Sequence, residues 1–143
     1  MNTIKLSFAV DGDDFTRAGE ASASVKKHLK QLGVDPTIIR RVAIALYEGE
    51  INMVIHANGG AIDVEVDSHN IKMILKDTGK GIKDIPQAMQ EGFSTAPDEV
   101  RSLGFGAGMG LPNMLKNSDT FNIDSIVDVG TTVEMTVAIN STT

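Results

Sequence analysis

Glu48 and Asn52 stand one helical turn apart in the stretch from Asp35 to Gly60, DPTIIRRVAIALYEGEINMVIHANGG. A glutamate can take a proton from a hydroxyl or a water, and an asparagine amide oxygen is a hard, neutral ligand suited to Mg2+. Spaced by four on a helix, the two point the same way. Two glycine-bearing motifs follow: Asp77-x-Gly79-x-Gly81, and Gly104-x-Gly106-x-Gly108-x-Gly110. A carboxylate such as Asp77 can accept a hydrogen bond from the exocyclic amine of a base. A glycine-rich segment running into a helix offers backbone N–H groups and a positive dipole end to phosphates. Neither motif has the G-x-G-x-x-G strand-to-helix setting, and no G-K-[ST] follows. Taken alone, Asp77-Thr-Gly-Lys-Gly81 reads as an ordinary strand-ending turn. The three motifs together fit a nucleotide.

The helix that would carry Glu48 and Asn52 has a defined start and stop. Asp35 can cap its free N–H groups, and Pro36 falls in the first turn, where a missing N–H costs nothing. Asn58-Gly59-Gly60 is turn chemistry that ends it. At about 100° per residue, Ile39, Val42, Leu46 and Met53 fall on one side, and Ile44, Ile51 and Ile55 lie nearly opposite. Glu48, Asn52 and His56 then line a strip with apolar residues on both flanks. A helix apolar nearly all round is buried, and a carboxylate within it needs a cleft, a metal or specific partners. The strip is equally consistent with groups that are merely hydrogen-bonded or solvated. The helix by itself does not decide.

Around it, Ile4 to Val10 alternates as a half-buried strand, and Phe15 to Leu32 has the apolar spacing of a helix ending at Gly33. His28 sits at the edge of that helix's apolar face, where a packing or surface role is expected over that of a ligand. Ala61 to Asp67 and Ile71 to Leu75 read as two strands joined through Ser68-His69-Asn70, which leaves His69 solvated. A short helix is expected from Ile85 to Glu91. Gly92 to Gly110 carries five glycines and little apolar periodicity, and loops of that length are functional or disordered. Leu111-Pro112 opens another helix, and strands Phe121 to Val127 and Thr131 to Ile139 finish the chain. This order predicts an α+β two-layer sandwich: a mixed, mostly antiparallel sheet with helices on one face.

The 143 residues suit one domain, residues 1–143, with room for a proper core. A net charge of −6 argues against a nucleic-acid partner and against a polybasic membrane anchor. The absence of cysteine excludes disulfides, thiolate metal sites and cysteine nucleophiles. No basic leader precedes a long apolar run, and no run approaches the roughly 20 residues of a membrane helix. A cytoplasmic location is the expectation.

The order of the three motifs, spread over Glu48 to Leu111, resembles the N box and the two glycine boxes of the gyrase, heat-shock-90, histidine-kinase and MutL (GHKL) ATPase superfamily. Within it, the compact length, the EGFSTA and GAGMGLPNML segments and the final hairpin ending VGTTVEM are similar to anti-sigma factor and stressosome switch serine/threonine protein kinases. The resemblance covers roughly Ile38 to Val137 and implies a Bergerat-type ATP-binding fold using ATP and Mg2+. It implies that Glu48 is the catalytic base and Asn52 the Mg2+ ligand. Asp77 would recognise the adenine amine, with Gly79 and Gly81 letting the backbone approach base and sugar. Gly106, Gly108 and Gly110 would cradle the phosphates beneath a lid from about Phe93 to Ala107, and Thr131 would support the adenine pocket. His56 would face the phosphates or simply end its helix as a hydrogen-bonded residue.

The resemblance further implies phosphorylation of a STAS-domain anti-anti-sigma protein, with partner choice governing a sigma factor or a PPM-type phosphatase. A homodimer is compatible with it. Two readings compete: an ATP-binding sensor that transfers no phosphate, and a detached histidine-kinase catalytic domain, which would need a dimerisation helix. The sequence departs from the family pattern in two places. The arginine that closely precedes the glycine motif in anti-sigma kinases corresponds here to Arg101, set apart from Gly104 by Ser102 and Leu103. Tyr47 and Gly49 flank Glu48 where small or apolar residues are commoner, and Gly49 weakens a helix by up to about 1 kcal/mol relative to alanine.

Overall fold

A computed structural model of the chain describes residues 3–12, 18–56, 59–79, 81–82, 85–89 and 110–139. Its elements in order are β1 (Ile4–Asp11), α1 (Glu20–Gln31), α2 (Pro36–His56), β2 (Gly59–Val66), β3 (Asn70–Asp77), α3 (Ile85–Ala88), α4 (Gly110–Lys116), β4 (Thr120–Ile126) and β5 (Gly130–Ala138). The strands form one sheet in the order β1-β2-β3-β5-β4. All four pairings are antiparallel, so the described sheet contains no parallel pair.

Period-two alternation sends one face of each strand inward. Ile62, Val64 and Val66 of β2 lie in register with Leu75, Met73 and Ile71 of β3, and these with Val133, Met135 and Val137 of β5. All nine are buried. Val25 and Leu29 of α1, Val42, Leu46 and Met53 of α2, and Leu111 and Met114 of α4 join the same cluster. Fully burying each such side chain contributes roughly 1.5–3 kcal/mol, so the central strands and α2 anchor the molecule. The other face of the sheet is polar. Ser7 Oγ donates to Asp63 across β1 and β2 at 2.7 Å, and Lys72 pairs with Glu134 across β3 and β5 at 3.1 Å.

α2 begins as its sequence predicts, with Asp35 Oδ1 accepting the Thr37 N–H at 2.8 Å. Its Gly49 has a packing reason. A Cβ there would lie 2.3 Å from Leu75 Cδ2 and 3.3 Å from Met114 Sδ, so the missing side chain is what lets α2 settle between β3 and α4. α1 differs from expectation: Ala18 and Gly19 form a turn, and the helix begins at Glu20 instead of Phe15. His28 is partly buried and its Nδ1 hydrogen-bonds the Ser24 carbonyl, while His69 is exposed in the β2–β3 turn, both as expected. The expected end of α3 at Glu91 lies outside the described residues. No helix among the described residues is long and apolar enough to cross a membrane.

Candidate active site

The half-buried Glu48 and Asn52 face the first turns of α4 from one side of α2. A Cβ on Gly110 would lie 3.0 Å from Asn52 Oδ1 and 3.1 Å from its Nδ2, so the backbone at the start of α4 rests directly on the amide. One turn further along α4 lies Asn113. Burial pushes the Glu48 carboxyl above the usual glutamate range, and the Asn113 side chain opposes that rise without cancelling it. A carboxyl so raised lies nearer the pH at which a base must hold and release a proton. His56 closes α2, and its side chain lies outside the described residues.

A second polar group gathers where β3 ends. Asp77 Oδ1 accepts the Gly79 N–H at 2.9 Å and the Thr131 N–H at 3.1 Å. Both bonds fall on one oxygen, and Oδ2 receives none from the described residues. The Thr131 and Ser125 hydroxyls share a hydrogen bond of 2.8 Å, and Ser125 Oγ accepts the Ile82 N–H at 2.7 Å. Gly81 sits at φ +76°, in the left-handed region that glycine tolerates, and a Cβ there would lie 2.5 Å from the Ile126 carbonyl. The turn after Asp77 is thus tied to the β4–β5 hairpin at three points. Gly79 serves this cluster through its N–H, and Gly81 through close packing.

The structure therefore brings Glu48, Asn52 and Gly110 into one group and Asp77, Gly79, Gly81 and Thr131 into another. Gly106, Gly108, Gly104, Arg101 and the expected lid from Phe93 to Ala107 lie outside the described residues.

Sequence reasoning passed over three residues. Asn113 and Ser125 carry no local signal, since their roles depend on partners 65 and 43 residues away, the differences 113 − 48 and 125 − 82. Glu50 did carry one. It lies four residues from Leu46 and three from Met53, on the face assigned to the core, and a buried carboxylate must find donors. Glu50 is 3% exposed, and its Oε2 accepts the N–H groups of Gly19 at 2.9 Å and Ala21 at 3.2 Å, while Oε1 accepts that of Ser22 at 3.2 Å. It caps α1 from outside, which fixes where that helix starts.

Residues 13–137 match the histidine kinase-like ATPase domain family. The chain is 31% identical over 109 residues to the serine/threonine-protein kinase RsbT of Bacillus subtilis, covering 73% of this chain and 76% of that protein. It is 35% identical over 147 residues to an anti-sigma F factor of Thermoanaerobacter sp., covering 98% of this chain and 96% of that protein. Among solved structures it resembles the RsbU and RsbW domains of Rv1364c from Mycobacterium tuberculosis, with a TM-score of 0.64 at 17% identity, covering 94% of this chain and 31% of that one. That last likeness concerns the fold.

Proposed function

The chain belongs to the histidine kinase-like ATPase domain family, and from that membership we propose that it is a Mg-ATP-dependent serine/threonine protein kinase that switches between protein partners. It works as a single ATP-binding domain. Its phosphoacceptor is a small STAS-domain protein of the anti-anti-sigma kind, and its output is a sigma factor or a PPM-type phosphatase. The relatives named as a serine/threonine-protein kinase and as an anti-sigma F factor support this reading.

The observation that carries it is the contact of α4 with α2, where Gly110 lies on Asn52 one turn from Glu48. Glu48 is the base that accepts the proton of the attacking seryl or threonyl hydroxyl. Asn52 would hold Mg2+ through its neutral amide oxygen, and the ion when bound would supply neutralisation of developing phosphate charge. The residues present fit such an ion, since a hard amide oxygen stands beside the backbone of Gly110. Gly106, Gly108 and Gly110 cradle the phosphates. Asp77 accepts the adenine amine through Oδ2, while Oδ1 stays engaged with Gly79 and Thr131.

Calorimetry with Mg-ATP tests the site, followed by phosphate transfer to a STAS-domain protein. The expected outcome is Mg-dependent binding that Asn52→Ala abolishes and Glu48→Gln retains, with transfer lost in both. No ATP binding by the folded wild type overturns the reading. Binding without transfer, and partner exchange unchanged in Glu48→Gln, would leave an ATP sensor in its place.

A further inference from the structure

The apolar rows on the inner face of the sheet end in three polar residues, one on each of three neighbouring strands. On β3 the row Ile71, Met73, Leu75 runs on to Asp77, on β5 the row Val137, Met135, Val133 runs on to Thr131, and on β4 Phe121 and Ile123 run on to Ser125. Period two places all three on the face that carries the core. Ser125 lies directly opposite Thr131 in the register, and β5 separates β4 from β3, so the three form one row across the strands. Polar groups at such positions need hydrogen-bond partners. Ser125 stands at the centre of theirs. Its Oγ accepts the Ile82 N–H at 2.7 Å and has two acceptors in reach, Thr131 Oγ1 at 2.8 Å and the Gly130 carbonyl at 3.3 Å. A serine hydroxyl has one proton to give. O–H···O bonds run from about 2.5 to 3.0 Å, so distance assigns that proton to Thr131. The bond accepted from Ile82 makes Ser125 a stronger donor in turn.

We propose that Ser125 is a positioning residue for base selection: held by Ile82, it gives its proton to Thr131 and so leaves the Thr131 hydroxyl a donor next to the Asp77 carboxylate. The inference rests on the reading of Asp77 as the acceptor of the adenine amine. Among the described residues Thr131 Oγ1 has no second partner, so its own proton is left for a ligand. Asp77 keeps Oδ2 for the same purpose, since Oδ1 already receives Gly79 and Thr131. An acceptor beside a donor matches adenine, whose amine donates and whose N1 accepts. Guanine presents the reverse, with O6 accepting and N1–H donating, and would set like against like at both points. A Thr131 hydroxyl without Ser125 is free to turn and accept from N1–H, which removes half of that discrimination.

The test measures ATP and GTP affinity by calorimetry in the wild type, Ser125→Ala, Ser125→Thr and Thr131→Val, and in Ser125→Ala on the Thr131→Val background. The ratio of ATP to GTP affinity is expected to fall about threefold to tenfold in Ser125→Ala. Ser125→Thr keeps a hydroxyl at the same point and should restore the ratio. Thr131→Val should lower it as Ser125→Ala does, and adding Ser125→Ala to Thr131→Val should lower it no further. A merely structural serine would weaken ATP and GTP alike, or would cost the same with and without the Thr131 hydroxyl. Either result overturns the inference. Asp77→Asn separates the two readings. If that variant loses the ATP preference while Ser125→Ala keeps it, the inference alone falls. If Asp77→Asn keeps the preference, the assignment of Asp77 to the base fails, and the role of Ser125 goes with it.

Discussion

The carboxylate of Glu50, in the middle of α2, accepts the backbone N–H of Gly19 at 2.9 Å and so forms part of the beginning of a different helix. α1 has no side-chain cap of its own at Gly19. Its free N–H groups, which every helix leaves at its start, are satisfied by a residue some thirty positions later. The negative charge also lies at the positive end of the α1 dipole.

Removing that carboxylate should therefore be costly. Glu50→Ala leaves the N–H groups of Gly19, Ala21 and Ser22 without an acceptor in a buried place, and opens a cavity. A loss of about 2–4 kcal/mol in unfolding free energy is expected from urea denaturation. Glu50→Gln keeps one acceptor oxygen and should lose about half as much. A loss below about 0.5 kcal/mol for Glu50→Ala would show that the cap contributes nothing to stability.

The same long-range contact explains where the sequence could and could not be read. The start of α2 was legible because Asp35 and Thr37 are neighbours and the capping bond is local. The strands were legible because alternation in β2, β3 and β5 survives as alternating burial. The start of α1 was not, because apolar spacing back to Phe15 says nothing of a cap delivered by Glu50. Gly49 misled in a related way. Its helix propensity is a local cost, and its compensation is the approach of Leu75 and Met114, which only tertiary packing supplies. Of the site, residue types and order were legible, and the seating of Gly110 on Asn52 was not.

Glu48 gives the protein a pH dependence whose sign differs between stability and activity. Burial raises its folded-state pKa above the ordinary value of 4.5, so the folded chain holds the proton more tightly than the unfolded chain. The group's contribution to stability is complete below that ordinary value and is lost as pH rises through the raised one. In its proposed role as base Glu48 must be ionised, so turnover should rise over the same window. Asp119 acts in the opposite sense. The Ala138 N–H, and then Arg41, hold its carboxyl below 3.8, so its contribution is present above that value and fades as pH falls through the lowered one. Unfolding free energy measured against pH should therefore decline less steeply above pH 4.5 in Glu48→Gln than in the wild type. Identical slopes would contradict the burial of Glu48.

Gly110→Ala should act on Mg-ATP binding with little effect on folding. The new Cβ would come within 3.0 Å of Asn52 Oδ1, and the amide has to turn or retreat by a few tenths of an ångström. Displacing the proposed Mg2+ ligand by so little is expected to weaken Mg-ATP binding about tenfold by calorimetry. Binding of ATP in EDTA should change less, because the substitution reaches the nucleotide through Asn52. Equal losses with and without Mg2+ would place the damage on the phosphate segment instead.

Gly130→Ala should couple stability to base recognition. Gly130 opens β5 at φ +148°, and a Cβ there would lie 2.1 Å from the Asp77 carbonyl oxygen. The backbone of β3 has no flexible end to move aside, so the strands must separate where Asp77 Oδ1 receives the Thr131 N–H. A loss of about 3 kcal/mol in stability is expected, from overpacking added to an unfavourable backbone conformation. Asp77 would also lose its anchor, so, in its proposed role of reading the adenine amine, the preference for ATP over GTP should shrink along with the affinity. Serine at position 125 offers a control, because Ser125→Ala removes the hydroxyl that links Ile82 to Thr131 without touching the strand crossing. It should relax the ATP preference while costing only about 1 kcal/mol in stability. If Gly130→Ala unfolds the protein at assay temperature, the Ser125→Ala measurement alone decides whether this hydrogen-bonded cluster serves the base pocket.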